Sequence, residues 1–304
     1  MEILGYGDRI PRGSFALHSA FENALNFRGS GGFMVSLVSR KTGNGPLNVV
    51  LKHLPRGARR LKVTKLAVYI DENRLEVDPE KNYDSSVPRL PLDPSLLKEN
   101  LNFLRELFGR IAPAKSMCFL FSFRAEDSFR TVFERKMLEK MKKGAALLGA
   151  GSYAKGARAL RGLGFGLTPS GDDFLCGFLT GLGFMEANLP GDPHRSFSCE
   201  ADEAEEAGHK FKAGLGAPNG RSLSEIKDII YDNALSRNFI GASFTYCAYN
   251  GRVNEKTGKL LAALAGFNDE RLVSAAKASL RAGHTSGADF CAGLIYGCEA
   301  GLRA

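Results

Sequence analysis

One stretch of this sequence occurs twice. Residues 166–181 read GLTPSGDDFLCGFLTG, and residues 283–297 read GHTSGADFCAGLIYG, which is shorter by one proline. Both copies fit the pattern Gly-x-Thr-(Pro)-Ser-Gly-x-Asp-Phe-x-x-Gly-x-x-x-Gly, and a match of this length within one chain is not expected by chance. The repeat therefore predicts two equivalent structural units, one in the middle of the chain and one late in it.

Each copy predicts the start of a buried helix. Ser170 and Ser286 are predicted N-caps, and Asp173 and Asp289, three residues later, would complete capping boxes. Beyond these starts both segments are apolar on nearly every side, which is typical of central helices. Small residues spaced four apart allow two backbones to approach closely, so the two helices are predicted to pack together. The stripes consist of Gly177 and Gly181 in the first copy and Gly293, Gly297 and Gly301 in the second.

The residues before the repeat predict a β-rich part. Short apolar or alternating runs at 33–39, 47–51, 61–70 and 74–77 are bounded by turn residues, and 40–46 is a hairpin or loop connection. These runs predict a small antiparallel sandwich or barrel. A proline-punctuated segment then separates this part from the rest of the chain.

Helical spacing predominates after that segment. Asp93 and Pro94 predict the N-cap and first residue of a helix, whereas the apolar run 117–123 is left open as a strand. The predicted fold class is therefore α+β, with a β-rich domain over 1–92 and a larger, mainly α-helical domain over 93–304. Further helices are predicted at 129–148, 153–163, 170–187, 198–213, 223–248, 256–265 and 269–281.

The composition excludes several classes of protein. The 304 residues are 44% hydrophobic and 24% charged, which is ordinary globular usage rather than that of a disordered chain. The longest apolar run, 174–185, is far shorter than the roughly 20 residues of a membrane span. No secretory signal is evident, so a cytoplasmic location and no membrane partner are expected.

Cysteine spacing and charge exclude two further classes of site. The six cysteines form no C-x-x-C pair, so neither a disulfide framework nor a zinc site is expected. The net charge of +8 comes largely from basic clusters at 52–65 and 135–143, but no nucleic-acid-binding signature accompanies them. We expect no nucleic-acid partner, and interpret these clusters as solvated faces or as surfaces for an acidic partner.

The two predicted helix starts would together suit a small anion, because helix N-termini present N–H groups and a positive dipole end. Hydroxyl groups of the motif would add donors. We therefore predict a substrate-binding set from both copies, and it consists of Thr168, Ser170, Gly171, Thr285, Ser286 and Gly287.

The acidic residues of the motif are the candidate catalytic groups. Asp173 and Asp289 are equally well explained as members of capping boxes. Asp172 is not, because its counterpart is Ala288, which makes Asp172 the strongest candidate for a general base. His284 replaces the leucine of the first copy and is the fourth candidate, although a surface or capping role explains it as well.

The carboxylates also limit the ligand. They disfavour a bare anion and fit a bound metal or a ligand with amide N–H donors, so a small substrate with both anionic and amide character is predicted. No metal site and no cofactor are expected, and Mg²⁺ is the one candidate ion. Weaker candidates are His18 and Ser19 in the β-rich part and Asn233, Ser236, Arg237, Asn238 and Ser243 on the predicted long helix.

The two signatures, 166–173 and 283–289, resemble those of the AllH-like (YlbF-like) proteins, which were formerly a family of unknown function. His18, Ser19 and Phe21, together with the segment 33–51, are similar to the N-terminal part of that family. The resemblance implies a subunit of an oxamate carbamoyltransferase that works with FdrA-like and AllG-like partner subunits in anaerobic purine (allantoin) degradation.

The implied reaction is carbamoyl transfer from oxalurate to phosphate, giving carbamoyl phosphate and oxamate. Both ligands combine an anion with amide N–H groups, as the motif chemistry requires. The Ser-Thr-Arg-Thr phosphate loop of ordinary carbamoyltransferases is absent, so their mechanism is not carried over. The alternative function is a non-catalytic scaffold or a small-anion-binding subunit of a multi-protein complex.

Overall fold

The computed structural model describes residues 1–164, 166–189 and 221–304. The predicted helix at 198–213 lies outside these residues, as does Cys199. Within them the fold is α+β: every strand lies between residues 3 and 83, and every α-helix follows residue 93.

The strands form one sheet in the order β8-β7-β6-β2-β3-β4-β5-β1-β9. Most neighbours are antiparallel, but β4 pairs with β5, and β1 with β9, in parallel. The predicted antiparallel sandwich or barrel is therefore wrong in its pairing, since the sheet is mixed. The strands are β1 (Ile3–Gly7), β2 (Gly13–Ala20), β3 (Ala24–Gly29), β4 (Met34–Ser39), β5 (Asn48–Leu51), β6 (Arg60–Val63), β7 (Ala67–Ile70), β8 (Asn73–Glu76) and β9 (Asn82–Tyr83).

One strand prediction needs correction, one open alternative is decided and one prediction is confirmed. Because β4 and β5 are parallel, the connection predicted as a hairpin or a loop is a crossover loop. The run 61–70 is two strands, because Thr64 turns the chain by donating its hydroxyl to the Ala67 carbonyl at 2.9 Å. The return of β8 against β7 is antiparallel, as predicted.

The helical part contains ten α-helices within the described residues. The N-terminus of the first is as predicted: Asp93 accepts hydrogen bonds from the N–H groups of Ser95 and Leu96, and Pro94 is the first helical residue. The helices are α1 (Pro94–Ile111), α2 (Phe123–Glu126), α3 (Val132–Gly149), α4 (Tyr153–Leu160), α5 (Ser170–Asn188), α6 (Leu223–Ala234), α7 (Phe239–Tyr249), α8 (Glu255–Leu264), α9 (Asp269–Leu280) and α10 (Ser286–Arg303).

One open alternative is decided by the structure, and one helical prediction differs from it. The apolar run 117–123, for which a strand is one possibility, contains a buried 3-10 helix, Met117–Phe121, which packs against α1 and α10. The long helix predicted at 223–248 is broken at 235–238 into α6 and α7. Asn238 stops a continuous helix there because its side chain caps α7, accepting a hydrogen bond from the Gly241 N–H at 2.7 Å.

The helices α5 and α10 form the centre of the helical part. A Cβ atom at Gly177 would overlap the carbonyl oxygen of Phe290, and one at Gly293 would overlap that of Phe174. One turn further along, Gly297 lies in the same way against Phe178. The contacts advance in the same direction on both helices, so α5 and α10 are parallel and their first turns lie at the same end.

The sheet and the helices have separate apolar cores but are joined by polar contacts. Arg252, in the loop before α8, pairs with Asp8 at 3.2 Å. The hydroxyl of Tyr83 donates to the Val253 carbonyl at 3.1 Å. Among the helices of the described residues, none combines the length and the hydropathy that a membrane span requires.

Candidate functional site

The first turns of α5 and α10 differ from the predicted capping boxes. Pro169 and Thr285 occupy the cap positions, and neither cap forms a side-chain hydrogen bond. Ser170 and Ser286 are already helical. The prediction that these serines are N-caps is therefore wrong, and the reason is that backbone carbonyl groups accept from the N–H groups of residues 171–173 and 287–289, including those that the caps would serve.

These backbone bonds are matched in the two copies. The Gly171 N–H donates to the Leu163 carbonyl at 2.7 Å, and the Gly287 N–H donates to the Ala282 carbonyl at 2.8 Å. The next two N–H groups of each helix donate to the carbonyl of Pro169 or Thr285 at 2.9–3.1 Å. The N–H groups of the two glycines are thus already used, which leaves the motif hydroxyls as donors for a ligand.

The two glycines also have a packing role. A Cβ atom at Gly171 would overlap the Leu160 carbonyl, at the end of α4, and one at Gly287 would overlap the Ser279 carbonyl, near the end of α9. Each helix start is thereby held tightly against the helix that precedes it in the chain.

The motif starts of the two copies touch each other. Thr168 Oγ1 donates to Asp173 Oδ2 at 2.9 Å and lies 3.4 Å from the hydroxyl oxygen of Ser286. Burial raises the pKa of Asp173 well above its usual range, and the nearby Ser286 hydroxyl and the Thr168 hydrogen bond oppose that rise. Asp173 is therefore a buried carboxyl group at the junction of the two copies.

Asp289 is the most buried of the candidate acidic groups, with no exposed surface. Its Oδ1 accepts a hydrogen bond from the Met117 N–H at 2.5 Å. Its Oδ2 is buried and has no hydrogen-bond partner among the described residues. Burial raises its pKa to about 7, against the Met117 N–H and the hydroxyls of Ser170 and Thr285, which favour the charged form. An unpaired acceptor at this depth is uncommon in proteins.

Asp172 has a different environment. Its Oδ1 accepts from the Gly162 N–H at 2.5 Å, and its Oδ2 accepts from the Ser236 hydroxyl at 2.6 Å. Burial raises its pKa, and these two bonds oppose the rise. Both oxygens are thus used to tie the turn before the motif to the break between α6 and α7. This role accounts for the acidic residue that capping alone did not explain.

The break between α6 and α7 reaches the motif from one side. Besides Ser236, the side chain of Asn238 donates to the Leu167 carbonyl at 2.5 Å. The other polar candidates on this segment lie elsewhere. Asn233 accepts from Arg158, Ser243 donates to the Phe239 carbonyl of its own helix, and Arg237 is exposed.

The two candidate histidines are both exposed. His284 lies at the surface before α10. His18, at a bulge in β2, contacts Phe239 with ring centroids 5.5 Å apart, and the Arg28 guanidinium lies 4.9 Å from the same ring. Its neighbour Ser19 accepts a hydrogen bond from Asn26 instead of facing a ligand. The sheet therefore reaches the start of α7, beside the motif loop.

Two groups near the candidate site, the Met117 N–H beside Asp289 and the Arg28 guanidinium beside Phe239, could not be found from the sequence. The Met117 N–H is a backbone group with no side-chain signal. Arg28 is an ordinary strand residue, and nothing in its surroundings in the sequence distinguishes it. Both come to the site only through tertiary contacts.

Metal-ligand geometry is absent from the part of the chain that the structure describes: no three His, Cys, Asp or Glu side chains are grouped to hold an ion. The five cysteines in that part are buried and unpaired as thiols. Binding of Mg²⁺ stays a prediction.

Comparison with known proteins concerns the helical part. The sequence model of the family described as oxamate carbamoyltransferase subunit AllH matches residues 160–298, which include both motif copies and the helices α5–α9. Over these residues the chain is similar to the AllH family. The family assignment made from the two signatures is thus confirmed, on a match that covers less than half of the chain and none of the sheet. No curated protein and no solved structure matches the chain.

Proposed function

We propose that this AllH-like chain is a subunit of a carbamoyltransferase of the oxamate type, and that its ligand binds where the two motif starts meet. The observation that carries the proposal is the unpaired, buried Oδ2 of Asp289 beside hydroxyl groups from both copies. The family description of residues 160–298 supplies the reaction class. We infer from the matched contacts of α5 and α10 that the repeat builds two equivalent halves of one site.

The chemistry of the implied ligands matches these groups. Oxamate, oxalurate and carbamoyl phosphate each carry an anion and an amide. In our proposal the amide N–H groups donate to the carboxyl oxygens of Asp173 and Asp289. The hydroxyls of Ser170 and Ser286 donate to the oxygens of the ligand, because the Thr168 hydroxyl is bonded to Asp173 and the N–H groups of residues 171–173 and 287–289 are bonded within the fold.

We assign the proton transfer to Asp289, whose pKa of about 7 suits it to gain and lose a proton near neutral pH. A phosphate oxygen attacks the carbamoyl carbon of oxalurate, and the bond from that carbon to the oxamate nitrogen breaks. Asp289 gives its proton to the leaving nitrogen and regains one from hydrogen phosphate. We place this reaction in anaerobic purine degradation on the family resemblance alone.

The same resemblance supports protein partners, since the family is described as a subunit. One observation favours the second candidate, a non-catalytic scaffold. The N–H groups of residues 171–173 and 287–289 and both oxygens of Asp172 are satisfied within the chain, as they would be in a motif that only builds a tight helical core.

Thermal-shift titration distinguishes the two functions. Oxamate, oxalurate, carbamoyl phosphate, phosphate and Mg²⁺ are each added to the purified chain and to the chain assembled with its partner subunits. A ligand at 100 times its dissociation constant stabilises by roughly 2.7 kcal/mol. We expect a shift with at least one carbamoyl or oxamate compound, lost in Asp289→Asn and Asp173→Asn.

The matched control is Asp172→Asn, which we expect to lower the melting temperature without removing the ligand-induced shift. If Asp172→Asn alone abolishes the shift, the site is centred on that residue instead. If no compound shifts either preparation, the chain is a scaffold.

A further inference from the structure

A groove on the outer face of α3 is the second feature of this molecule with the properties of a binding surface. It has a volume of about 390 Å³, and α3 and Leu163 line it. We call it the basic groove, and its lining consists of Phe133, Lys136, Met137, Glu139, Lys140, Lys143 and Leu163.

Helical spacing places the basic groups of this groove on one face. Lys136, Lys140 and Lys143 are four and three residues apart, so their side chains follow one another along the helix. Phe133 begins the same face and is 67% exposed, and the adjoining Val132 is 71% exposed. A large apolar surface thus lies at one end of a row of positive charges.

The charges of the basic groove are not neutralised within the described residues. Near by, Lys115 pairs with Glu134 at 2.6 Å and Lys142 pairs with Glu126 at 2.5 Å. By contrast, Lys136, Lys140 and Lys143 form no ion pair in the described part of the chain, although all three are exposed. Lys115 and Lys142, the two neighbouring lysines outside the groove, are thus paired within the chain, whereas the three lysines of the groove can pair with another molecule.

The groove is firmly attached to the core and to the candidate site. The inner face of α3 packs closely on α4, where Gly144 lies against the side chain of Leu160. Leu163, on the opposite wall, accepts the hydrogen bond from the Gly171 N–H that fixes the first turn of α5. A molecule in the groove would therefore contact the turn that supports the motif.

We propose that the basic groove is a docking site for an acidic, amphipathic helix of a partner protein. Acidic side chains spaced three and four apart on such a helix would pair with the three lysines, and its apolar side chains would cover Phe133, Met137 and Leu163. Nucleic acid fits less well, because a phosphate backbone offers nothing to the apolar walls and is repelled by Glu139. The proposal does not depend on carbamoyl-transfer chemistry.

Fluorescence anisotropy with a synthetic probe tests it. The probe is a labelled peptide of about 18 residues, five helical turns, with leucine along one face and glutamate beside it. We expect it to bind the full chain, and binding to weaken as salt rises from about 50 to 500 mM. The triple variant Lys136→Glu/Lys140→Glu/Lys143→Glu should bind at least about tenfold more weakly.

The control variant carries the same change of net charge in the loops that flank β6, Arg56→Glu/Arg59→Glu/Lys65→Glu, and should bind like the parent. Phe133→Gln should weaken binding of the peptide but not its salt dependence. Absence of binding, equal loss in both triple variants, or binding unaffected by Phe133→Gln would overturn the proposal. Tighter binding of duplex DNA or of phosphatidylserine vesicles through the same three lysines would overturn it in favour of a general polyanion surface.

Discussion

The two copies of the motif share a sequence but are supported differently. In the first, Asp173 receives its hydrogen bond from Thr168 of the same copy, and Asp172 ties the preceding turn to Ser236. In the second, Ala288 replaces that acidic residue, and Asp289 is held by the Met117 N–H from a distant 3-10 helix. The signature aspartate of the second copy has one oxygen without a hydrogen-bond partner in the described part of the chain.

This difference gives the signature aspartates of the two copies different surroundings. Two equivalent carboxyl groups in identical surroundings would titrate alike, whereas different surroundings separate their properties, as acid–base catalysis requires. Asp172 is the opposite case, because its surroundings leave neither oxygen without a partner. It is an additional carboxyl group in the motif, but its two satisfied oxygens make it a structural tie.

The largest expected effect concerns the glycine contacts between α5 and α10, which the two copies share. We expect Gly177→Ala and Gly293→Ala each to lower the free energy of unfolding by more than about 4 kcal/mol, above the usual range for overpacking, because the new methyl group meets a backbone carbonyl. Urea unfolding followed by circular dichroism measures this. Gly183→Ala in α5 is the control, since a Cβ there has open space, and it should gain up to about 1 kcal/mol. Equal tolerance at all three positions would contradict the close packing of α5 and α10.

The second prediction concerns how the copies differ in their titration. A carboxyl group whose pKa is raised on folding binds a proton more tightly in the folded state. The free energy of unfolding therefore falls as the pH rises from the pKa of the unfolded state to that of the folded state. For Asp289, with a pKa raised from 3.8 to about 7, the loss between pH 4 and pH 7 is roughly 3–4 kcal/mol.

Thermal unfolding between pH 4.5 and 8 measures this slope. Asp289→Asn should remove the part of the slope that Asp289 contributes, while Asp173, whose pKa burial raises well above its usual range, contributes another part that stays. A slope that is the same in Asp289→Asn and in the parent would mean that Asp289 is ionised throughout this range.

The third prediction tests the tie that only the first copy has. Asp172→Ala leaves the Gly162 N–H and the Ser236 hydroxyl without their partner and should cost roughly 2–3 kcal/mol. Ser236→Ala should cost about 1 kcal/mol. In a double-mutant cycle the two changes should be coupled by at least about 0.5 kcal/mol. Strict additivity would show that the hydrogen bond contributes nothing to stability.

The smallest expected effect concerns His284, which stands where the first copy has Leu167. Because His284 is exposed, His284→Ala should change the free energy of unfolding by less than about 0.5 kcal/mol. Carbamoyl-transfer activity of the assembled enzyme can then be compared directly between the two proteins. A loss of activity at unchanged stability would assign His284 to the reaction, and a loss of stability above about 1 kcal/mol would show an unrecognised structural contact.

Local patterns were enough to predict part of the fold. Asp93 and Pro94 mark the start of α1 because a cap and a proline act within one turn. The antiparallel return of β8 on β7 follows from the short turn at 71–72. The AllH-like signatures identified the family because they are short, specific and repeated.

Features that depend on distant partners were not predicted. The parallel pairing of β4 and β5 is set by the whole sheet, not by the loop between them. The segment after α6 is helical by composition, but Ser236 leaves the helix to bond Asp172, sixty-four residues away in the sequence. The serine caps failed for the same reason, since carbonyl groups of the preceding residues satisfy the N–H groups first.

The same is true of the candidate site. Asp173 and Asp289 were found in the sequence because they fit the pattern of a capping box, and neither helix start forms one in the structure. Asp172 was the strongest candidate from the sequence because capping does not require its carboxylate. In the structure both oxygens of that carboxylate accept hydrogen bonds, from the Gly162 N–H and the Ser236 hydroxyl. What distinguishes Asp289 is the missing partner of one oxygen, and no sequence pattern carries that information.

The parallel pairing of α5 and α10 also has a consequence during protein synthesis. Gly177 is made more than a hundred residues before Phe290, whose carbonyl group lies against it in the folded chain. At roughly 5–20 residues per second, α5 waits on the order of 5–20 seconds on the ribosome for its partner helix. During that interval the glycine face of α5 lacks the helix that covers it in the folded chain, so this part of the core can form only after α10 has been made.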